Sequence, residues 1–128
     1  MRIALNIGVG ITALLLAFLG VQWMFTPESI ASEQGVMLHG LPALSLARAD
    51  LGGMFLGAAL LCLLGLRPGQ GSLLIAVAVV IGAIAVGRTV GLVADGFHAN
   101  MAVLVGVEVV MVAVLVLAAR RPAAAPAS

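Results

Sequence analysis

The chain has no lysine and no tyrosine, one cysteine (Cys62), one tryptophan (Trp23), and charged side chains at only 9% of its 128 residues. Each shortage excludes something. So little charge cannot clothe a water-soluble domain, in which about a quarter of the residues are normally charged. With 63% hydrophobic residues and a mean hydropathy of +1.27, the chain reads as an integral membrane protein. A lone cysteine rules out an intramolecular disulfide; inside an apolar run it reads as a small buried hydrophobe. There is no Cys/His cluster with metal-ligand spacing and no Gly-rich phosphate loop after a strand pattern, so neither a metal nor a cofactor is expected. A net charge of +1 without a basic stripe gives nucleic acid nothing to bind. All six basic residues are Arg; with abundant Ala, Val, Gly and Leu, this composition points to a GC-rich bacterial genome.

What is present is apolar length. A hydrocarbon core of about 30 Å takes about 20 helical residues. Four segments qualify, near Ile3–Phe25, Ala47–Leu66, Ser72–Ala94 and His98–Ala119. The first is too long for a signal peptide, has one Arg before it and lacks a clean small-x-small cleavage site, so it reads as a retained helix. The expected fold is all-α: a single four-span bundle over residues 1–121, followed by a disordered Ala/Pro tail over 122–128.

The connections carry orientation. Arg2, Arg67 in Arg67-Pro68-Gly69-Gln70-Gly71, and Arg120-Arg121 all fall on one side. The positive-inside rule makes that side the cytoplasm, with both termini inside and the bacterial inner membrane as the expected location. Trp23 and Phe25 then belong to the outer interface as belt aromatics. The outer connection Thr26–Leu46 is too long for a tight turn. Thr26-Pro27-Glu28-Ser29 reads as a helix start with an N-cap threonine, proline at the first position and an acid in the first turn. A short outer-face helix is expected there, ended by a Gly40-Leu41-Pro42 break. The connection Asp95–Asn100 is short, so spans three and four form an antiparallel hairpin.

Lipid removes the hydrophobic drive between helices, so close approach at small residues must replace it. Span one offers Asn6, Gly10, Ala13, Ala17 and Gly20; span two offers Gly53-x-x-x-Gly57; span three offers Ala83, Gly87, Gly91 and Asp95. Gly53, Gly57, Gly87 and Gly91 are the expected packing positions, within the bundle or as a homodimer seam.

Against this background five ionisable residues stand out: Arg48, Asp50, Arg88, Asp95 and Glu108. Charge at membrane depth costs several kcal/mol unless paired or watered, which makes such residues functional candidates by default. The orientation gathers them toward the outer half, with His98, and His39 beyond it, above them. Arg48 and Asp50 are two apart and cannot share a helix face. Arg88 can reach Asp95 on its own face, Asp50 across the bundle, or Glu108 below. Glu108 has no nearby cation on its own helix, and Arg88 is its best-placed partner. Two readings remain open for these groups: an ion-pair network that fixes helix register, or a charged pocket with Arg48, Asp50, Arg88, Asp95, Glu108 and His98 as its residues.

The blocks Arg48-Ala49-Asp50-Leu51-Gly52-Gly53-Met54-Phe55-Leu56-Gly57, Gly87-Arg88-Thr89-Val90-Gly91, Asp95-Gly96 and a late Glu108 recur in an order that resembles the bacterial four-helix membrane family called domain of unknown function 4345. The resemblance runs from about Gly8 to Ala119. It implies the four-span topology and a link among Arg48, Asp50, Gly53, Arg88, Gly91, Asp95 and Glu108, and no reaction.

The function expected from these features is binding or association in the membrane, with a lipid, a small molecule or a partner membrane subunit held at the charged pocket. The alternative is a small proton-coupled transporter working as a homo-oligomer through Glu108. No nucleophile–base arrangement is recognisable among Ser45, Ser72, Thr89 and the two histidines, so no enzyme is expected.

Overall fold

The structure, a computed structural model, describes residues 1–120. Five helices follow one another among them: α1 (Arg2–Phe25), α2 (Pro27–Glu33), α3 (Gly40–Gly65), α4 (Gly71–Ala94) and α5 (Ala99–Ala119). The fold is all-α. Helices α1, α3, α4 and α5 are each long and apolar enough to cross a membrane, and α2 is the short helix expected between the first two spans. The tail expected to be disordered, 122–128, and Arg121 lie outside the described residues.

Burial along α1 shows why this is a membrane chain. Val9, Ala13, Leu16 and Trp23 are buried in a four-and-three rhythm, with Gly20 in the same row. The opposite face exposes Ile3, Ile7, Ile11, Leu14, Phe18 and Phe25, all more than half exposed. A continuous bare apolar stripe of this length is foreign to soluble monomers and normal against lipid. The buried row shares Ala13 and Gly20 with the small-residue row read from sequence, but it is completed by Val9, Leu16 and Trp23. Gly10 meets no neighbour.

The chain groups into two compact units, Ile11–Leu60 in one and Met1–Gly10 with the chain from Leu61 onward in the other. In the Ile11–Leu60 unit, Trp23, Ile30, Ala31 and Ala47 form a buried cluster, flanked by Leu19, Leu38, Leu51 and Phe55. Trp23 is only 4% exposed. The belt position expected for it is therefore replaced by a core position beneath α2, while Phe25 is 70% exposed as a belt residue would be. Pro27 opens α2 as expected, but Thr26 does not cap it with its side chain. Its hydroxyl instead donates to the carbonyl of Gln22, 3.0 Å away, at the end of α1.

Gly40-Leu41-Pro42 is a helix start and not a break. Gly40 turns the chain with φ +79°, a conformation that suits glycine. Pro42 then falls in the first helical turn, where a missing N–H leaves no helical bond unmade. α3 is consequently longer than the span read from sequence, and it is not uniform. It runs as α-helix over Gly40–Leu46, as a π-helical turn over Ala47–Gly52, and as α-helix again over Gly53–Gly65.

In the other unit α4 packs against α5 as the expected hairpin, reversing at Gly96, whose φ of +116° again suits glycine. Glycines set the close approaches. A Cβ on Gly8 would sit 2.8 Å from Val114, one on Gly65 2.5 Å from Leu74, and one on Gly71 2.6 Å from the Ala119 carbonyl oxygen. Cys62, Leu74, Val77 and Leu115 are essentially inaccessible, and Cys62 is a free buried thiol.

Candidate functional site

The charged block of α3 begins at the π-helical turn. Arg48 reaches from it to the end of α1, and its Nη1 donates to the carbonyl oxygen of Met24. The last carbonyls of any helix lack an internal donor, so this guanidinium closes an orphaned helix end. Arg48 and Gly52 are four apart and share the face turned to α1. A Cβ on Gly52 would lie 3.0 Å from the Met24 nitrogen and 3.3 Å from the Gly20 carbonyl oxygen. A Cβ on Gly20 would meet the backbone nitrogen of Leu56 at 2.8 Å. Glycine at 20 and 52 thus lets two backbones approach until the arginine can reach its acceptor. Asp50, two residues from Arg48, is exposed and makes no ion pair among the described residues.

The second arrangement lies between α4 and α5. Arg88 Nε donates to Glu108 Oε1 at 2.8 Å, the one ion pair among the described residues. The two side chains are 26% and 12% exposed, so the pair is largely shielded. Arg88 Nη1 also points at the sulfur of Met101, 3.5 Å away. Met101 and Glu108 are seven residues apart on one face of α5, so a single arginine on α4 touches both. The geometry is one-sided: one carboxylate oxygen is held, while Glu108 Oε2 is buried with no hydrogen-bond partner. Because buried polar atoms are nearly always satisfied, an orphaned carboxylate oxygen is a position that asks for a donor.

The same hairpin carries a groove of about 350 Å³ with Gly82, Val86 and Thr89 of α4 and Val105, Val109 and Val112 of α5 among its walls; neither Arg88 nor Glu108 lines it. Glu108 stands in the helical row of Val105 and Val112, three residues after one and four before the other. Thr89 Oγ1 donates to the Ala85 carbonyl at 2.8 Å, so the hydroxyl's remaining capacity is that of an acceptor. A second concavity of about 360 Å³ lies in the Ile11–Leu60 unit, where Glu28, Ser32 and His39 share a rim with Met37.

Of the partners open to Arg88 in the sequence, Glu108 is the one it takes. Asp95 and His98 are exposed at the α4–α5 reversal; Asp95 closes α4 through its backbone N–H to Gly91, and His98 precedes α5 without a side-chain cap. Within the chain, the close approaches are made by glycines other than the four expected. A Cβ on Gly53, Gly57 or Gly87 would meet nothing within 4 Å, and one on Gly91 only the Asp95 carboxylate at 3.7 Å. The close approaches belong to Gly8, Gly20, Gly52, Gly65 and Gly71. The Gly52-Gly53 doublet held the relevant signal: one glycine faces the neighbour and the next faces away. No cluster of three metal-ligating side chains exists among the described residues.

No curated protein and no solved structure matches the chain. One family model does, over residues 4–119, and by that match the chain belongs to the domain of unknown function family DUF4345.

Proposed function

We propose that this multi-pass membrane protein works by binding, and that the Arg88–Glu108 pair is where it recognises its ligand, an amphiphilic lipid or lipid-like small molecule. The single observation that carries the reading is the buried Glu108 Oε2 without a donor, in a helix hairpin that also carries an apolar groove. A pair serving only to hold helices together gains most when both carboxylate oxygens are satisfied. A half-used carboxylate in a hairpin that also carries an apolar groove suits a molecule with a polar head and a chain. The arginine distribution read from the sequence puts both termini in the cytoplasm and this pair in the outer half of the bacterial inner membrane. On this reading the protein performs no reaction.

The test is native mass spectrometry of protein gently extracted from its own membranes, with Arg88→Ala beside it and thermal unfolding to certify both. The expected result is a small component retained by the wild type and lost from a folded Arg88→Ala. A wild type that carries nothing, or a folded mutant that keeps the component, overturns the proposal. A co-purifying polypeptide in place of a small component would point to a partner subunit instead.

A further inference from the structure

The concavity of the Ile11–Leu60 unit is lined by a charged side chain, which the hairpin groove is not. Its walls follow from the way α2 ends. Gly35 takes φ +73°, its N–H donates to the Ser32 carbonyl at 3.0 Å, and the Val36 N–H donates to the Ala31 carbonyl at 2.8 Å. This pair of bonds is a glycine-dependent helix stop that reverses the chain. The returning chain and α2 together wall a space of about 360 Å³. Glu28 and Ser32 line it from α2, one turn apart on one face; Met37 and His39 line it from the returning chain.

The space lies where the first span ends. At 24 residues α1 is about 36 Å long, more than a hydrocarbon core needs. α2 and the returning chain follow directly on its end at Phe25, so they stand at headgroup depth. Met37 and Leu41 are 81% and 82% exposed there, bare apolar side chains that suit the edge of the acyl region.

The chemistry of the walls selects an occupant. Glu28 is the one Asp, Glu, Lys or Arg among them, exposed and without an ion pair among the described residues. A carboxylate favours a cation over a free anion. A metal ion is poorly matched, since no three metal-ligating side chains gather among the described residues. A quaternary ammonium has no N–H to donate and is recognised by aromatic walls; neither Phe nor Trp is among the residues lining this space. A primary ammonium brings three donors, and the Glu28 carboxylate and Ser32 hydroxyl are acceptors one turn apart. His39 carries a ring N–H whether neutral or charged, and so suits a phosphate close to that ammonium.

We infer that this space is a second binding site, sharing no residue with Arg88–Glu108, for a primary ammonium borne on a phospholipid headgroup of the ethanolamine type. The ammonium sits at Glu28 and Ser32, the phosphate at His39, and the chains leave past Met37.

The experiment uses the full-length protein in phosphatidylcholine nanodiscs containing a small, equal share of phosphatidylethanolamine or its N-methyl or N,N-dimethyl derivative. Native mass spectrometry of protein released from the discs identifies each bound lipid by mass. Relative to its share of the bilayer, phosphatidylethanolamine should be retained at least about tenfold over phosphatidylcholine, as one hydrogen bond to a charged group predicts. Each added methyl removes an N–H, so retention should fall stepwise along the series. Glu28→Gln, a change on an exposed face, should abolish the preference in a protein that unfolds at nearly the wild-type temperature. Ser32→Ala should weaken it about fivefold, and carries the test should Glu28→Gln not fold.

Equal retention across the methyl series overturns the ammonium assignment. A preference that survives in folded Glu28→Gln, or is untouched in Ser32→Ala, overturns the site. Free phosphoethanolamine in the buffer that clears the lipid would make the ligand a soluble amine and overturn the lipid assignment.

Discussion

Arg48 and Arg88 both project from long apolar helices, and their partners differ in kind. Arg48 is exposed and donates to a main-chain carbonyl at the end of α1; Arg88 is shielded and pairs with a carboxylate on α5. The first arrangement joins a helix terminus to a neighbouring π-helical turn and leaves its charge without a counter-ion among the described residues. The second neutralises the charge and leaves an acceptor over. Arginines that look equivalent in sequence thus fall into a structural role and a candidate recognition role, and the kind of partner separates them better than the depth does.

The contrast predicts unequal sensitivities. Glu108→Ala strands Arg88 in a shielded position, and unfolding in bilayers should show a loss of about 3 kcal/mol. Arg88→Met with Glu108→Leu should recover most of it, because removing both partners is far less damaging than removing one. If the single and double variants are equally unstable, the pair is not the source of the cost. Gly52→Ala comes next: its Cβ would crowd the Met24 backbone, and a loss of about 1–3 kcal/mol is expected. Its neighbour Gly53 meets nothing, so Gly53→Ala should be neutral or stabilising by about 0.5–1 kcal/mol, as a glycine replaced inside a helix usually is. Reversal of that order would show that the other glycine faces α1. Arg48→Ala should cost about 1 kcal/mol, the worth of one exposed charge-assisted bond, and should leave ligand retention at Arg88–Glu108 untouched. Thr26→Ala is the smallest, within about 0.5 kcal/mol, because its hydroxyl serves α1 and caps nothing in α2.

Much of this architecture is legible in the sequence. Hydropathy and span length located four helices because a membrane helix must be continuous and apolar, and Pro27 marked α2 because its fixed φ suits a first turn. The pairing of Glu108 with Arg88 was legible for a related reason: a shielded carboxylate with no cation on its own helix must look to its neighbour. The start of α3 was not legible, since Gly-x-Pro marks a break or a first turn equally well and only the surrounding fold decides. Trp23 was misplaced because an aromatic at a span end serves a belt or a core, and the choice depends on where α2 folds. The glycine seams meet no neighbour within the chain for a similar reason. Gly-x-x-x-Gly spacing states that one face is smooth, while contact depends on which face the neighbour meets; Gly53 and Gly57 lie on a face that meets none. The π-helical turn at Ala47–Gly52 has no residue signature that separates it from ordinary helix, although such turns are frequent at functional positions.

The measurement that tests the central claim most directly is native mass spectrometry on the charge-swapped protein, Arg88→Glu with Glu108→Arg. The swap keeps an ion pair between α4 and α5 and exchanges which helix carries the carboxylate. The account predicts a protein that unfolds at nearly the wild-type temperature and no longer carries the small component retained by the wild type. A swapped protein that keeps the component would contradict it, and would make the pair a clasp between helices and nothing more.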